Sequence, residues 1–362
     1  MAINPVAPLP LTRLISEIMP VMTRAPEAIA EEAKAGLAAP EGALRASAAP
    51  SAPASAPPSG PQQALLQATA RAATQQTGAG GMMADLATAL LRPDFPAPAR
   101  AAAERILGLR TPLVGQPSAA ELKAAVERSG VFLEAKLADP QRSAEAAPGR
   151  DMKAALLAMR QTLQFLTGPQ AAPPTPRKAE PPPFRGGSTH AQAPQGSTLP
   201  AEGEPLTALL HLKGEVDGAL ARQTLLQGAS LPDDPRTAAR GEAQWMFEIP
   251  FATPQGTVMA QFQVSREAKR ADPEAPEPVW RAKFSIDLDE TGPVHVQVAL
   301  FPGAPHVGIW AERTLTAEKL ARRSSELAVR LAGPDGAAQV LVRAGEPVRP
   351  EAPAGYFVDR AL

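Results

Sequence analysis

The segment between Val279 and Leu331 has the most regular hydrophobic pattern in the chain. In its first part every second residue is apolar, in a run made of Trp280, Ala282, Phe284, Ile286 and Leu288. Because successive side chains of a strand point to opposite faces, this run predicts a strand with one buried face and one solvent-facing face. The alternation resumes at Val294, after the turn-forming residues 289–293. Two alternating runs around a Gly-containing turn predict a β-hairpin, with His295 on its solvent-facing side.

Similar patterns continue on both sides of this hairpin. Further strands are predicted by alternating runs at 245–251, 258–264, 307–311 and 338–342. From Thr316 onwards the apolar residues instead share one helical face, which carries Leu320, Leu327 and Leu331. We therefore predict an α+β domain over residues 241–345, with five or six mostly antiparallel strands and one main helix on one face.

Composition separates this domain from the rest of the chain. Of the 14 aromatic residues, 10 lie after Gly241, so a large aromatic core belongs to the C-terminal third. Residues 82–167 carry helical signals instead. Ser118 and Glu121 have the spacing of a capping box, and a seam at four- and three-residue steps is formed by Met152, Leu156, Met159, Leu163 and Leu166. These signals predict a small helical bundle before the sheet domain.

The remaining segments are rich in Pro, Ala and Ser and poor in bulky apolar residues. Such sequences bury too little apolar surface to offset the entropy of ordering. The boundaries that we predict are short amphipathic helices over 1–37, a disordered Ala/Pro/Ser-rich segment over 38–81, a Pro-rich linker with a weak helix over 168–240, and a C-terminal tail over 346–362.

Several function classes are disfavoured by composition. The formal net charge of −1 gives no global basic field for nucleic acid, and the absence of Cys excludes disulfides and Cys-ligated zinc. No apolar run approaches the roughly 20 residues that span a bilayer, so membrane insertion is not expected. The first 20 residues lack the basic start of a cleavable signal peptide. None of the four His residues falls in a metal or catalytic motif, so we expect no enzyme activity, no cofactor, no metal and no small-molecule substrate.

One family resemblance emerges from these elements. It is carried by Leu288, Gly292, Pro293, Val294, Val296, Trp310, Ala311, Glu312, Arg313, Leu320, Leu327 and Leu331. This hairpin, strand and Leu-spaced helix resemble the C-terminal domain of flagellar hook-length control proteins of the alphaproteobacterial type. More familiar members have Pro-x-x-Leu-Gly at the turn, where this chain has Leu288 and Thr291 in place of that Pro and Leu. Residues 129–137 and 151–157 resemble the middle of the same proteins, so the likeness covers about 82–167 and 241–359.

The resemblance implies a protein that is not an enzyme. It implies that the chain starts in the cytoplasm and is secreted through the flagellar type III export channel, where the N-terminal part senses hook length against hook and hook-cap proteins. It also implies that the C-terminal domain engages the export-gate switch protein and changes export from hook-type to filament-type substrates. The alternative is a cytoplasmic protein-binding adaptor with two interaction domains that is never exported.

Candidate partner-binding residues lie in three places. They are the turn residues Asp289, Gly292 and Pro293, the helix residues Lys319, Arg322 and Arg323, and the tail residues Tyr356 and Phe357. For the basic helix residues the alternative is an ordinary solvated face balanced by nearby glutamates. For the tail aromatics the alternative is packing on the chain's own domain.

Overall fold

The computed structural model describes residues 61–350, except for 114–116, 140, 174–176, 178–179, 201–202, 233–241, 268–278, 302–303 and 333–337. The helices predicted over 1–37 and the tail aromatics Tyr356 and Phe357 lie outside the described residues. Among the helices that are described, none is long and apolar enough to cross a membrane.

The C-terminal part is a seven-stranded sheet whose strands are ordered as they occur in the chain. The strands are β1 (Thr111–Pro112), β2 (Ala243–Thr253), β3 (Gly256–Arg266), β4 (Trp280–Leu288), β5 (Gly292–Phe301), β6 (Ala304–Ala311) and β7 (Gln339–Ala344). Pairing is antiparallel from β2 to β6, whereas β1 with β2 and β6 with β7 are parallel. The predicted α+β class with a mostly antiparallel sheet preceded by helices is therefore confirmed.

Two details of the sheet domain differ from the prediction. The sheet gains a seventh strand because β1, which lies in the helical part of the chain, adds to the edge of β2. The one predicted helix between β6 and β7 is divided at Arg323 into α8 (Thr314–Arg322) and α9 (Ser324–Leu331).

In the described part of the chain, seven α-helices precede the long strands. They are α1 (Pro61–Gln75), α2 (Ala79–Leu91), α3 (Ala97–Gly108), α4 (Ala119–Glu127), α5 (Leu133–Ala138), α6 (Met152–Thr167) and α7 (Pro205–Ser230). The Ser118 capping box and the Asp151 cap of α6 are both formed. The buried side of α6 includes Met152, Leu156, Met159 and Leu163, four members of the predicted seam.

The helical part extends beyond its predicted limits. Helix α1 and the start of α2 lie in the segment predicted to be disordered, and the weak helix of the predicted linker is the 26-residue α7. Glycines lower the helix propensity of α7, yet α1 and the residues after it pack closely against them. A Cβ at Gly218 would overlap the Thr77 side chain, and one at Gly228 would press on Thr69. These glycines allow a close helix approach that local propensity does not reveal.

The inner face of the sheet holds the aromatic core. Phe262 stacks between Phe247 and Phe284, with both pairs of ring centroids 5.4 Å apart. Leu320 of α8 and Leu327 of α9 cover part of this face, and residues of α4 belong to the same core. The alternating apolar residues read from the sequence thus form one continuous hydrophobic layer.

The outer face of the sheet is also covered, which corrects one prediction. His295, predicted to face solvent, is only 2% exposed. Helix α7 packs on β2, and an extended Pro-containing segment, residues 184–199, hydrogen-bonds across the strands; we call it the strap. The predicted linker therefore includes a packed layer that buries polar side chains of the sheet.

Candidate functional site

The turn between β4 and β5 is fastened to the start of α8. The Arg313 guanidinium donates to the Asp289 carbonyl at 2.8 Å, and the Thr316 hydroxyl donates to the Thr291 carbonyl at 2.7 Å. Gly292 has a φ of +70°, a conformation that L side chains rarely adopt, and a Cβ there would overlap the Arg313 side chain. The backbone N–H of Glu312 donates to the Pro293 carbonyl. The structure thus brings the three predicted turn residues together on one rigid feature.

The predicted basic residues form a separate surface. Lys319 and Arg322 are exposed on α8, and Arg323 is partly exposed where α8 ends. The turn contacts Arg313 and Thr316 near the N-terminal end of the same helix. From Thr316 to Arg322 the helix rises about 9 Å at about 1.5 Å per residue, so the two sets flank opposite ends of α8. Nothing among their contacts joins them into one pocket.

Across the outer face, pairing places one side chain from each of six strands in a row. This row consists of Glu248, Gln261, Ser285, His295, Trp310 and Arg343. The alternation in the sequence predicts that these residues share a face, but it does not reveal what covers them. The strap and α7 cover the β2–β4 part of this row.

The middle of the row contains a chain of hydrogen bonds that the sequence analysis missed. The Ser285 hydroxyl lies 2.8 Å from Nδ1 of His295, whose Nε2 lies 3.0 Å from the Glu312 carboxylate. A hydroxyl, an imidazole and a carboxylate in this order resemble a nucleophile with its base and orienting acid. Ser285 is fully buried, however, and its hydroxyl also lies 2.7 Å from that of Thr189 in the strap. In this arrangement the hydrogen bonds hold the strap on the sheet.

A buried ion pair continues the row toward β2. The Arg222 guanidinium of α7 donates to one oxygen of Glu248 through Nε at 3.0 Å and through Nη2 at 2.8 Å. Gln192 of the strap donates to the same oxygen, and Arg222 also donates to Gln76 and to the carbonyl of Pro181. Five segments that are distant in the chain therefore meet at one carboxylate and one guanidinium.

A second buried cluster lies within the helices. Asp85, His211 and Glu215 bring an imidazole nitrogen and carboxylate oxygens within 4.8 Å of one another, which is a possible metal-ligand set. Arg177 lies between the carboxylates, donating to both oxygens of Glu215 at 3.1 Å and to Asp85 at 2.7 Å. The Arg177 guanidinium thus supplies the positive charge that a metal ion would bring to this cluster.

The pKa values of this cluster shift in opposite directions. Burial alone would raise the pKa of Asp85, but hydrogen bonds with His211, Arg177 and Ser197 hold it well below its usual range. Burial raises the pKa of Glu215 despite the nearby Arg177 charge.

Neither histidine of the predicted linker is fully solvated, because His211 contacts Asp85 and the backbone of His190 bonds to Gln261.

Comparison with known proteins locates the family likeness in the sheet domain. Residues 255–339 match the family model described as flagellar hook-length control protein FliK. The match runs from the turn before β3 to the start of β7 and covers under a quarter of the 362 residues. It confirms the resemblance to flagellar hook-length control proteins for the C-terminal sheet domain, whereas the likeness over 82–167 stays a prediction. Neither the curated proteins nor the solved structures gave a match.

Proposed function

We propose that this protein is exported by the flagellar type III apparatus, senses hook length, and switches export from hook-type to filament-type substrates through its C-terminal domain. The observation that carries this proposal is the family match over 255–339, which falls on strands β3–β6 and helices α8 and α9. It includes Phe262 and Phe284 of the aromatic core. A rigid domain of this kind suits a step that depends on docking to a partner.

The partner of the sheet domain is, on this proposal, the export-gate switch protein. The rigid turn at Asp289, Gly292 and Pro293 and the exposed cations Lys319 and Arg322 are the surfaces that we assign to this contact. Arg323, at the junction of α8 and α9, belongs to the second surface. The N-terminal part meets hook and hook-cap proteins during its passage out of the cytoplasm. Tyr356 and Phe357 remain candidates for a further contact.

Export requires the packed helices to unfold. The main core cluster of the helices consists mostly of Ala, Leu and Met, with Phe95 as its aromatic member, whereas the sheet core is rich in Phe and Trp. Smaller side chains bury less apolar area, so the helical part is expected to unfold more readily. The absence of Cys means that no disulfide opposes passage through a narrow channel.

The adaptor alternative draws support from the extensive contact between the two parts. Helix α7 and the strap bind the outer face of the sheet through buried polar groups such as Arg222 and Glu248. A protein that stays in the cytoplasm would keep this arrangement intact. Secretion therefore separates the two functions, because an adaptor would never appear outside the cell.

The decisive experiment is electron microscopy of hooks from a strain in which this gene is deleted. We expect overlong hooks without filaments, restored to normal by a plasmid copy, and we expect the protein in the culture supernatant of the parent strain. Normal hooks with normal filaments in the deletion strain would contradict the proposal and leave the adaptor function.

A paired substitution tests the basic surface. The double variant Lys319→Glu with Arg322→Glu should be secreted normally but give overlong hooks, because both exposed cations would lose their attraction for the partner. The matched control is Arg105→Glu with Arg150→Glu, which reverses two exposed cations in the helical part. Equal hook lengths in the two double variants would contradict the assignment of Lys319 and Arg322 to the partner-binding surface.

A further inference from the structure

An open groove crosses the outer face of the sheet beyond the strap. It has a volume of about 590 Å³, and side chains from β4, β5, β6 and β7 line it. We call it the cationic groove and define it by Arg281, Lys283, Gly308, Trp310 and Leu341. Three strand spacings of about 4.8 Å give it a length of roughly 14 Å, which matches four or five residues of an extended chain.

The floor of the cationic groove is flat and apolar. Gly308 carries no side chain, and the Trp310 indole lies over it so closely that a Cβ at Gly308 would be 2.6 Å from Cη2 of the ring. Leu341 is 52% exposed beside this floor, and Phe301 is 39% exposed at the far end. The half-buried Trp310 ring, flanked by two exposed apolar side chains, favours packing under a planar or branched side chain of a ligand.

One wall of the groove is positively charged. Arg281 and Lys283 lie two residues apart on β4 and so point to the same face, and none of the described lining residues carries a carboxylate. Arg281 pairs with Glu267 at the surface, whereas no carboxylate among the described residues pairs with Lys283. Burial and the neighbouring Arg281 charge lower the pKa of Lys283. A half-buried ammonium that has no carboxylate partner in the described part of the chain is stabilised by a carboxylate that reaches it.

We propose that the cationic groove binds an extended acidic segment of a partner protein. Carboxylates of the segment pair with Lys283 and Arg281, and one apolar side chain packs on Trp310. Two cations and a short groove suit a peptide better than a nucleic acid, whose binding depends on neutralising many phosphates. The proposal rests on the proposed function only in taking the sheet domain as the part that meets a protein partner.

The test uses the full-length protein and a fluorescein-labelled probe, a short peptide of glutamates with one central phenylalanine. Fluorescence anisotropy should show binding that weakens as salt is raised, because the charged contacts are near the surface. Replacing every glutamate of the probe by lysine should abolish binding. Tighter binding of a single-stranded oligothymidine than of the acidic peptide would overturn the peptide assignment.

Matched variants locate the binding. Lys283→Glu should weaken binding of the acidic peptide at least about tenfold, equivalent to about 1.4 kcal/mol. Arg150→Glu makes the same charge change at a distant exposed site and should change the peptide affinity by less than about twofold. Lys283→Gln, which keeps most of the stem, and Trp310→Ala give independent variants if Lys283→Glu disturbs the fold. Peptide binding unchanged in folded Lys283→Gln and Trp310→Ala proteins would overturn the proposal.

Hook measurements keep this proposal separate from the proposed function. A deletion strain with normal hooks would contradict the proposed hook-length function. The peptide-binding proposal would then be decided by the Lys283 and Trp310 variants. Overlong hooks in the deletion strain, together with a full-length protein that does not bind the acidic probe, would overturn the groove assignment alone.

Discussion

On the inner face of the sheet, Phe247, Phe262 and Phe284 stack in a layer of apolar side chains. On the outer face of the same strands, Glu248, Gln261 and Ser285 are equally inaccessible to solvent, yet they are polar. Apolar burial is favourable by itself, at roughly 25 cal/mol per Å². A buried polar group instead costs free energy unless it finds a partner. The inner face therefore supplies stability, whereas the outer face supplies a specific attachment for the strap and α7.

Not every buried polar group on the outer face has a hydrogen-bond partner among the described residues. Gln261 Nε2 and Gln263 Oε1 are buried without a hydrogen-bond partner among the described residues. Each such group costs about 1–3 kcal/mol. The hydrogen bonds to the strap and α7 offset only part of the free-energy cost of burying the polar groups of the outer face. We therefore expect the strap and α7 to separate from the sheet before the inner core unfolds. Four predictions test this difference between the faces.

The largest effect is expected on the inner face. Phe262→Ala removes the central ring of the stack and should lower the free energy of unfolding by about 3–5 kcal/mol, measured by urea denaturation. Phe165→Ala is the matched control, because Phe165 is 86% exposed on α6, and it should change stability by less than about 0.5 kcal/mol. Similar losses in the two variants would mean that the stack is not the core of the fold.

Breaking the outer ion pair should cost slightly less. Arg222→Ala leaves the Glu248 carboxylate buried without its guanidinium, a change that should lower the free energy of unfolding by about 3 kcal/mol. Arg330→Ala removes a surface pair with Glu326 and should cost at most about 0.5 kcal/mol.

A double replacement sharpens this second prediction. Arg222→Met combined with Glu248→Leu removes both charges, so it should restore much of the stability lost in Arg222→Ala. If the double variant is as unstable as the single one, the hydrogen bonds of Arg222 to Gln76 and Pro181 outweigh the ion pair.

The sequence predicted the inner face and the helix ends because both depend on local patterns. Alternation placed Phe284 in the core, and the Ser118 capping box requires a residue only three positions away. The partners of Glu248 and the strap partner of Ser285 lie 26 to 96 residues away in the chain, and a polar residue at an alternating position gives no sign of them. Of the candidate site, the turn residues are neighbours in the chain and their partner-binding role stays a prediction, whereas the groove around Trp310 forms only once β4 to β7 are paired.

The third prediction concerns pH. Burial lowers the pKa of His190 to about 4, and the charges of Arg349, Arg222 and His295 act in the same direction. The unfolded chain takes up this proton near its ordinary value of about 6.5, before the folded protein does. The contribution of neutral His190 to the free energy of unfolding is therefore fully present above about pH 6.5 and is lost as the pH falls toward 4.

Replacing His190 should remove that dependence. His190→Gln should flatten the fall in melting temperature between pH 7 and pH 4.5, a range that includes most of the interval between the two pKa values of about 6.5 and about 4. His306→Gln replaces an exposed histidine and is the control substitution. Parallel profiles for all three proteins would show that His190 titrates alike in the folded and unfolded states.

The smallest effect is expected where the strap meets the row. Ser285→Ala removes the hydroxyl shared by Thr189 and His295, which should cost about 1–3 kcal/mol because two buried groups lose a partner. The partly buried Ser265 is on the same face, and Ser265→Ala should change stability by less than about 0.5 kcal/mol. The loss should also be local: amide exchange should accelerate over residues 186–192 of the strap while the N–H groups of Phe262 and Phe284 stay protected. Faster exchange at those core positions as well would mean that the two faces unfold as one unit, and that the strap is part of the core and not an attachment to it.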